Sequence, residues 1–539
     1  MKKMQFISGI LFLILLLIII NKAFAQQGYN AQFIRALPLQ HSTNPAYTPC
    51  YSYYIGFPGL TGLQFQTENS GFTVKNVLYK TPDDSVHFST DKLLNSIKKN
   101  NYLSVGLEND IIAFGFKIKK GYLHFNLSER FNSTVFYTKD MLDFLVKGNS
   151  SFIGKNVSFK SIGLNANYYH EIGIGYSREI DKKWTAGIKV KYLAGIANIY
   201  TKKSDISIYT DPSDYALTVK TDFSLYSSLP GTSMLPEDSV DFSIEGKNFS
   251  KSLMKFKNSG LAFDLGVQYK YNDKLKFGAS IIDLGYINWK SNTKNLVSSK
   301  STGSYTFRGI DINEFFDNDS TKFDDKINEV IDSLSANLGL KTTYSKYRSN
   351  LISKIYLSGM YDVSQRDHLG LLIRSDIYQS KLKTALTIHY NHEFGKYLSL
   401  MTGYSLMTNN YLNLGFGFAL NVGSVQLYTM TDNVITFLSP YKSKYGNLNF
   451  GINFVFGDKR KISKSPVKSE IQADTLAIRE ALPELRKISK EEKMQLKADE
   501  KEKRENEKIA TKQEKKIKNK SLRQQRKEYR RQQKKKKAL

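Results

Sequence analysis

The sequence predicts an all-β protein: a transmembrane, antiparallel, up-and-down β-barrel of about 14 strands, with short loop helices and a charged C-terminal tail that is helical or disordered. Three observations predict this fold. Long segments alternate apolar and polar residues with a period of two. Short turns alternate with long loops along the chain. After the N-terminus there is no continuous apolar run of about 18 residues, so no helix is predicted to span a bilayer.

The alternation is clearest in the hairpin of residues 164–200, which turns at residues 181–183. The even-numbered residues are mostly apolar, with aromatic residues near the ends, and we expect those from Trp184 to Ile196 to face outward. The odd-numbered residues are small, polar or charged. This division is typical of a transmembrane strand between lipid and a polar lumen. A second alternating segment begins at Leu261.

Four charged residues in these segments fall on the inward set. They are Glu171, Lys189, Lys191 and, in the segment that begins at Leu261, Asp264. They are the candidate ligand-binding residues of the lumen, and the alternative interpretation is that they pair with one another. The small residues of the same face leave lumen volume that a plug or a cargo could occupy, unless they only allow the strands to bend.

The N-terminus has the features of a secretory signal peptide, residues 1–25. Lys2 and Lys3 precede an apolar segment, and Ala23-Phe24-Ala25 forms a cleavage site, so the mature chain is expected to begin at Gln26. A retained anchor helix is the alternative. Residues 26–50 contain three prolines and no periodicity, which predicts an N-terminal periplasmic segment or a lumen plug.

The barrel is predicted over residues 51–457. Its strands are expected at 51–66 (with Pro58 at a bulge), 103–117, 122–137, in the 164–200 hairpin, and at 261–269, 275–287, 352–362, 369–378, 383–392, 398–407, 411–420, 424–430 and 446–456. Short helices are expected near 89–97 and 141–146, and an amphipathic helix around 323–334. Residues 206–219 are expected to extend a hairpin above the membrane. An even strand count places both mature termini in the periplasm.

The tail, residues 458–539, differs from the rest of the chain. It carries 29 Lys and Arg against 14 Asp and Glu, and it lacks Gly, Phe and Trp beyond Asp458. Such a composition cannot form a packed core. The basic tail could bind an anionic periplasmic partner such as peptidoglycan, acidic lipid headgroups or an acidic protein, or remain inert. An exported tail meets no nucleic acid, so that partner is not expected.

Signals for catalysis are weak, and we predict no catalytic residue, no metal site, no cofactor and no enzyme. His170-Glu171 and His392-Glu393 lack the second histidine that a zinc-protease helix needs, because Ile174 and Lys396 stand at that position. No G-x-S-x-G, phosphate-loop or Cys-x-x-Cys motif is present. Cys50 is the only cysteine, so it has no intramolecular disulfide partner.

Several segments resemble a Bacteroidota family of exported outer-membrane barrels of unknown function. They are N-P-A-Y-T-P (44–49), Y-I-G-F-P-G-L (54–60), G-L-E-N-D-I-I-A-F-G-F-K-I-K-K (106–120), L-A-G-I-A-N (193–198), D-L-G-Y-I-N-W (283–289) and Q-L-Y-T-M-T-D-N (426–433). The resemblance covers about residues 30–457 and implies a 14-strand barrel in the outer membrane but no activity. The chain is more distantly similar to long-chain fatty-acid transporter and type IX secretion barrels, and its basic tail departs from the family pattern.

The sequence therefore predicts a cell outer-membrane protein that contacts outer-membrane lipid. It either transports a hydrophobic or small ligand or acts as a secretion-associated barrel. The alternative is a non-conducting scaffold whose basic tail binds a periplasmic partner or peptidoglycan.

Overall fold

In a computed structural model, the chain is described at residues 34, 37–83, 85–230, 257–298, 303–308, 333, 336–378, 381–407, 410–458 and 460. The strands are β1 (Tyr53–Gly56), β2 (Gly62–Asn69), β3 (Leu78–Lys80), β4 (Val86–Phe88), β5 (Asn100–Ile118), β6 (Gly121–Thr138), β7 (Asn156–Ser158), β8 (Gly163–Glu179), β9 (Trp184–Thr210), β10 (Leu217–Ser228), β11 (Asn258–Lys270), β12 (Leu275–Trp289), β13 (Asn295–Ser298), β14 (Gly303–Phe307), β15 (Leu340–Thr343), β16 (Tyr347–Asn350), β17 (Ser353–Asp362), β18 (Asp367–Tyr378), β19 (Lys381–Phe394), β20 (Leu398–Met407), β21 (Asn410–Val422), β22 (Val425–Thr431) and β23 (Tyr445–Phe456).

The described helices are short. The α-helices are Val74–Val77, Thr90–Ser96, Lys139–Lys147 and Ile435–Leu438, and the 3₁₀ turns are Pro38–Ser42, Asn149–Phe152 and Pro440–Lys442. The two helices expected near 89–97 and 141–146 are confirmed. Each begins after a capping residue, Ser89 or Thr138, whose hydroxyl accepts a hydrogen bond from a backbone N–H of the first turn. No described helix is both long and apolar enough to cross a membrane.

The wall is a closed antiparallel barrel of 14 strands, as the sequence predicts. Its order is β1 with β2, then β5, β6, β8, β9, β11, β12, β17, β18, β19, β20, β21, β22 and β23. Closure comes from β1 and β2, which both pair with β23 on one side and with β5 on the other. Every wall strand therefore has two neighbours, and the sheet has no open edge there.

The first wall strand departs from the prediction. One strand with a bulge at Pro58 was expected over residues 51–66, but β1 and β2 are separate and a turn at residues 57–61 lies between them. Pro58 has no N–H to donate to a ladder, and Gly59 adopts a φ of +76°, which interrupts the extended backbone. Ile452 of β23 still bonds across the turn, to Phe57 N and Leu60 O, so the two pieces occupy one position in the wall.

The alternation predicted for the hairpin of β8 and β9 is confirmed for most of its length. Ile174 and Trp184 are among the exposed residues, whereas Lys189 and Lys191 are buried. The prediction for Ile196 is wrong, because this residue is buried with 6% exposure. A bulge opposite Tyr168 and Tyr169 shifts the register there, and the side chains beyond it change faces.

Two of the tight turns are closed by side chains. In the turn between β8 and β9, Asp181 Oδ1 accepts hydrogen bonds from the backbone N–H groups of Lys183 (2.6 Å) and Trp184 (2.7 Å). Asn272 does the same between β11 and β12. These Asx turns fix the hairpin registers. The ladder between β9 and β11 pairs Trp184 with Tyr269, and their ring centroids are 4.6 Å apart.

The opposite end carries long connections that form additional sheet. The hairpin expected around residues 206–219 is confirmed, since β9 continues well past the wall and pairs with β10. Strands β7, β13, β14 and β15 extend this sheet, and β16 pairs with the end of β12. The signal peptide, the centre of the predicted amphipathic helix and the tail beyond Arg460 lie outside the described residues.

Residues 37–50, called here the N-terminal segment, contact inward positions of the wall. Asn44 Nδ2 donates to the carbonyls of Val267 (3.2 Å) and Ala279 (3.4 Å). Ser280 Oγ donates to Thr43 O at 2.5 Å. Leu37 is fully buried in a cluster with wall residues of β20, β21 and β22. The segment is thus held by bonds to strands on several sides of the lumen.

Glycines make room for this segment. A Cβ at Gly187 would lie 2.2 Å from Pro45 O, and a Cβ at Gly266 would lie 2.1 Å from Asn44 Oδ1. Both distances are far below the van der Waals contact distance, so a larger residue requires the segment to move. At these two sites the small inward residue is required by the close approach of Asn44 and Pro45 of the N-terminal segment.

We predict that Gly187→Val displaces the N-terminal segment and leaves the wall folded, because the clash is with the segment. Limited proteolysis of the N-terminus, together with gel mobility of unheated protein, measures the two effects separately. Gly359→Val is the matched control, because the nearest atoms to its Cβ position are at 3.7 Å. Equal protection of the segment in both variants would contradict the prediction.

Candidate functional site: the charged lumen

The four predicted lumen residues lie together, buried inside the barrel. Glu171, Lys189, Lys191 and Asp264 are each at most 4% exposed. They come from three neighbouring strands, β8, β9 and β11, and the ladder pairs Asp264 directly with Lys189. The structure therefore places these four charged residues in the lumen, as the alternation predicts. Whether a ligand binds them stays a prediction.

Glu171 is a hub of this cluster. Its Oε1 accepts hydrogen bonds from Lys189 Nζ (2.9 Å) and Asn126 Nδ2 (3.0 Å). Its Oε2 lies 3.5 Å from Arg130 Nε and 3.9 Å from Lys191 Nζ. A carboxylate removed from water needs such partners, since an unpaired buried charge costs several kcal/mol.

Lys191 connects two further carboxylates. Its Nζ lies 2.7 Å from Asp264 Oδ2 and 2.5 Å from Asp283 Oδ1. Lys354 Nζ approaches the other oxygen of Asp283 at 2.7 Å. Lys191 thus pairs with both Asp264 and Asp283, and it shares Asp283 with Lys354.

Asp283 was not predicted, because strict alternation places it outside. In β12 the register shifts opposite Phe263 and Leu265, so two residues, Ile282 and Asp283, face the lumen in succession. Asp283 has a φ of +62°, a left-handed conformation that is unfavourable for a residue with a Cβ. Its backbone N–H donates to Asp264 Oδ1 at 2.8 Å, which helps hold the bulge.

Arg130, Glu108 and Asp110 extend the cluster along β5 and β6. Arg130 pairs with Glu108 and lies 3.4 Å from Asp110. These three residues were missed although they occupy inward positions, and applying the period-two rule to their strands would have found them. With them the network contains four cations and five carboxylates: Arg130, Lys189, Lys191 and Lys354, and Glu108, Asp110, Glu171, Asp264 and Asp283.

Two further buried ion-pair groups lie in the lumen: one joins β19 to β2 and β5, and the other lies on β18. Lys383 Nζ donates to Glu68 (2.8 Å) and to Tyr102 Oη (3.0 Å). Arg374 binds Asp376 through two parallel hydrogen bonds of 2.8 and 2.9 Å. Such bidentate pairs fix the guanidinium orientation. Charge pairs therefore occupy more than one wall of the lumen.

A cavity lies beside the cluster around Lys191. It is lined by Leu39, Ser42 and Thr43 of the N-terminal segment, by the charged residues around Lys191, and by Gln64, Asn132 and Asn449. Its volume open to the centres of water-sized molecules is about 80 Å³. One water requires roughly 10–15 Å³ on this measure. The cavity therefore accommodates several waters or a small polar molecule.

The N-terminal segment also contacts the wall through stacked rings. The His41 ring stacks on His124 of β6, with 4.2 Å between the ring centroids. A Cβ at Gly175 would lie 2.0 Å from the His124 ring, so this glycine leaves the space that the stack uses. Near the short turns, Arg460 lies 3.9 Å from Glu393 Oε2 and is 5% exposed. The start of the tail is therefore buried at that end of the barrel.

The donor set does not resemble a metal centre. Within the described part of the chain, no group of three or more His, Cys, Asp or Glu side chains could hold a metal ion. The clustered carboxylates face Lys and Arg instead. His170 and His392, considered above for catalysis, lie on strands and contact Glu129 and Asp367 respectively.

Residues 45–432 match a protein family of unknown function, DUF5723. The chain belongs to this family. The matched region includes the N-terminal contacts at Pro45, the charged cluster and all but the last of the wall strands. No curated protein matches the sequence. A DUF5723 barrel thus has to be interpreted from its own residues.

Several solved structures are similar to this DUF5723 chain. The toluene transporter TodX of Pseudomonas putida has a TM-score of 0.35 and 11% identity, covering 80% of this chain and 98% of that one. The toluene transporter TbuX of Ralstonia pickettii has a TM-score of 0.35 and 7% identity, covering 77% of this chain and 92% of that one. A FadL homologue of Pseudomonas aeruginosa has a TM-score of 0.31 and 9% identity, covering 76% of this chain and 89% of that one. Scores this low leave the function to be argued from the lumen itself.

We predict that Lys191→Met destabilises the barrel by about 3–5 kcal/mol, because Asp264 and Asp283 lose the cation between them. Lys189→Met is expected to cost less, since Glu171 keeps Arg130 and Asn126. Urea unfolding in detergent, followed by tryptophan fluorescence, measures both. Lys183→Met, in an exposed turn, is the control. Equal losses for Lys189 and Lys191 would show that Lys191 has no special role.

Proposed function

We propose that this protein is an outer-membrane barrel that passes a small polar solute through its lumen when the N-terminal segment moves. The observation that carries the proposal is the charge-lined cavity that the N-terminal segment borders. Apolar residues such as Leu63, Ile282 and Met430 contribute to the lining, but a hydrophobic ligand would also have to lie against the charged and amide side chains, which is unfavourable for it. A zwitterionic or hydroxyl-rich solute can exchange hydrogen bonds with the same groups.

The membrane location is supported by the outer face. Exposed large apolar side chains occur around the wall, including Phe116, Ile174, Leu265, Leu357 and Ile388. A continuous apolar exterior around a polar interior suits lipid and not water. The short turns then lie on the periplasmic side, together with both mature termini, after cleavage of the signal peptide behind Ala25. A Bacteroidota origin belongs to the same proposal.

A second candidate is a non-conducting or secretion-associated scaffold. The observation that favours it is the filling of the lumen by ion pairs and by the N-terminal segment. Arg460 begins the basic tail at the periplasmic end in this arrangement, so residues beyond it would meet anionic periplasmic partners or peptidoglycan. Pull-down from envelope extracts with the full chain and with a chain lacking residues 461–539 tests this candidate. An identical set of captured partners would remove the tail as an anchor.

We predict low solute uptake by the full chain in liposomes and several-fold higher uptake after deletion of residues 26–50, because the deletion removes one side of the cavity. Neutral sugars, zwitterionic amino acids and toluene are the probes, and the first two are expected to respond. Gly187→Val gives the same displacement without deletion, which controls for damage to folding. No uptake by any of these proteins would contradict the transport proposal.

A further inference from the structure

A row of five side chains crosses the inner face of five neighbouring strands. The ladder pairs Asn449 of β23 with Gln64 of β2, Gln64 with Glu108, Glu108 with Arg130, and Arg130 with Tyr169 of β8. Directly paired residues lie on the same face of a sheet, and all five line the cavity described above. These five residues are called here the lumen row.

The charges of the lumen row are paired within the chain. Arg130 forms an ion pair with Glu108, and it also lies near Asp110 and Glu171. A carboxylate or an ammonium ion that entered here would compete with these pairs, and leaving one of the buried charges without its partner costs free energy. The row therefore favours an uncharged ligand.

The amides at this cavity, in contrast, keep hydrogen-bonding capacity. Asn449 is 4% exposed, and among the described residues neither its Nδ2 nor its Oδ1 has a hydrogen-bond partner. The same holds for the buried Nε2 of Gln64, the ladder partner of Asn449, and for the Oδ1 of Asn132, which also lines the cavity. Buried amides without partners destabilise a fold, so we expect a molecule in the cavity to satisfy them.

Donors and acceptors occur side by side in this group of amides. An anion needs only donors and a cation only acceptors, whereas a hydroxyl group both donates and accepts. Because both polar atoms of Asn449 lack partners among the described residues, this side chain offers a donor and an acceptor whichever way its amide is oriented. The cavity holds roughly six waters by volume, which is about the size of glycerol.

We propose that Asn449 and Gln64 form a binding site for a small neutral polyol, whose adjacent hydroxyl groups bond to the two neighbouring amides. This inference rests on the proposed passage of a small polar solute and narrows that solute to one chemical class. Glu108 and Arg130 continue the row beside the amides, so a further hydroxyl group meets an acceptor and a donor there while the ion pair stays intact. Water alone and an amide such as acetamide also combine donors with acceptors, and the experiment separates these occupants.

Binding of glycerol to the full chain in detergent micelles tests the proposal. Saturation-transfer NMR titrations compare glycerol with acetamide, acetate and methylammonium. We expect saturable binding of glycerol and several-fold weaker binding of the other three solutes. No saturable binding of glycerol would mean that the amides hold water only, and equal binding of acetamide would mean that the site does not select hydroxyl groups. Either result overturns the proposal.

The double variant Asn449→Leu/Gln64→Met separates a binding role from a structural one. We expect it to lose glycerol binding and to keep or raise the midpoint of thermal unfolding, because the unpartnered atoms of these amides contribute no bond to the described fold. Asn421→Leu is the matched control, since this buried amide donates to Lys396 O at 2.8 Å and does not line the cavity. It should lose stability and keep its affinity for glycerol. Wild-type affinity in the double variant, or a lower unfolding midpoint there, would contradict the proposed site.

Uptake and binding fail separately. Glycerol binding by the full chain, without uptake by the full chain or by the chain lacking residues 26–50, contradicts the passage of solute and leaves the polyol site. Glycerol uptake by the shortened chain that is the same with and without the two substitutions contradicts the polyol site and leaves the passage of solute.

Discussion

Closure of the hydrogen-bonded ring is the constraint on which the rest of the structure depends. β1 and β2 bond to β23 on one side and to β5 on the other, so every wall strand has its backbone groups paired. Pairing on both sides leaves each residue only two directions for its side chain, outward or into the lumen. The faces of all strands are therefore set together, and a register change in one strand moves residues between the outer face and the lumen.

This constraint explains the composition of the lumen. Charges that face inward cannot retreat to bulk water, so each needs a partner within reach. Glu171, Lys191 and Asp283 meet this condition from β8, β9 and β12, which the up-and-down strand order places beside or near one another. The near balance of four cations and five carboxylates follows from the same requirement. The network is consequently both an element of stability and a polar lining.

Much of the fold could be predicted from the sequence, because alternation is a local property. The strand ranges, the turn at Asp181 and the inward set of Glu171, Lys189, Lys191 and Asp264 follow from it. Residues at bulges could not be predicted in this way. Ile196 turns inward beside a register shift, and Asp283 enters the lumen only because its backbone adopts a positive φ. Nor does a single sequence show that residues 37–50 pack against Gly187 and Gly266, since that contact depends on tertiary approach.

Two positions depart from a simple division into an apolar outer face and a polar lumen. At Asp283 the chain accepts an unfavourable backbone conformation, and the result is an additional carboxylate beside Lys191. Glu129 lies in the outward position that alternation gives it, but it places a carboxyl group among apolar side chains. Neither feature is needed to close the ring, because an ordinary β pair at the first site and a leucine at the second would close it with less strain or less polar exposure. Features that cost stability without contributing to closure mark candidate functional positions, and Asp283 lies in the lining of the cavity beside Lys191.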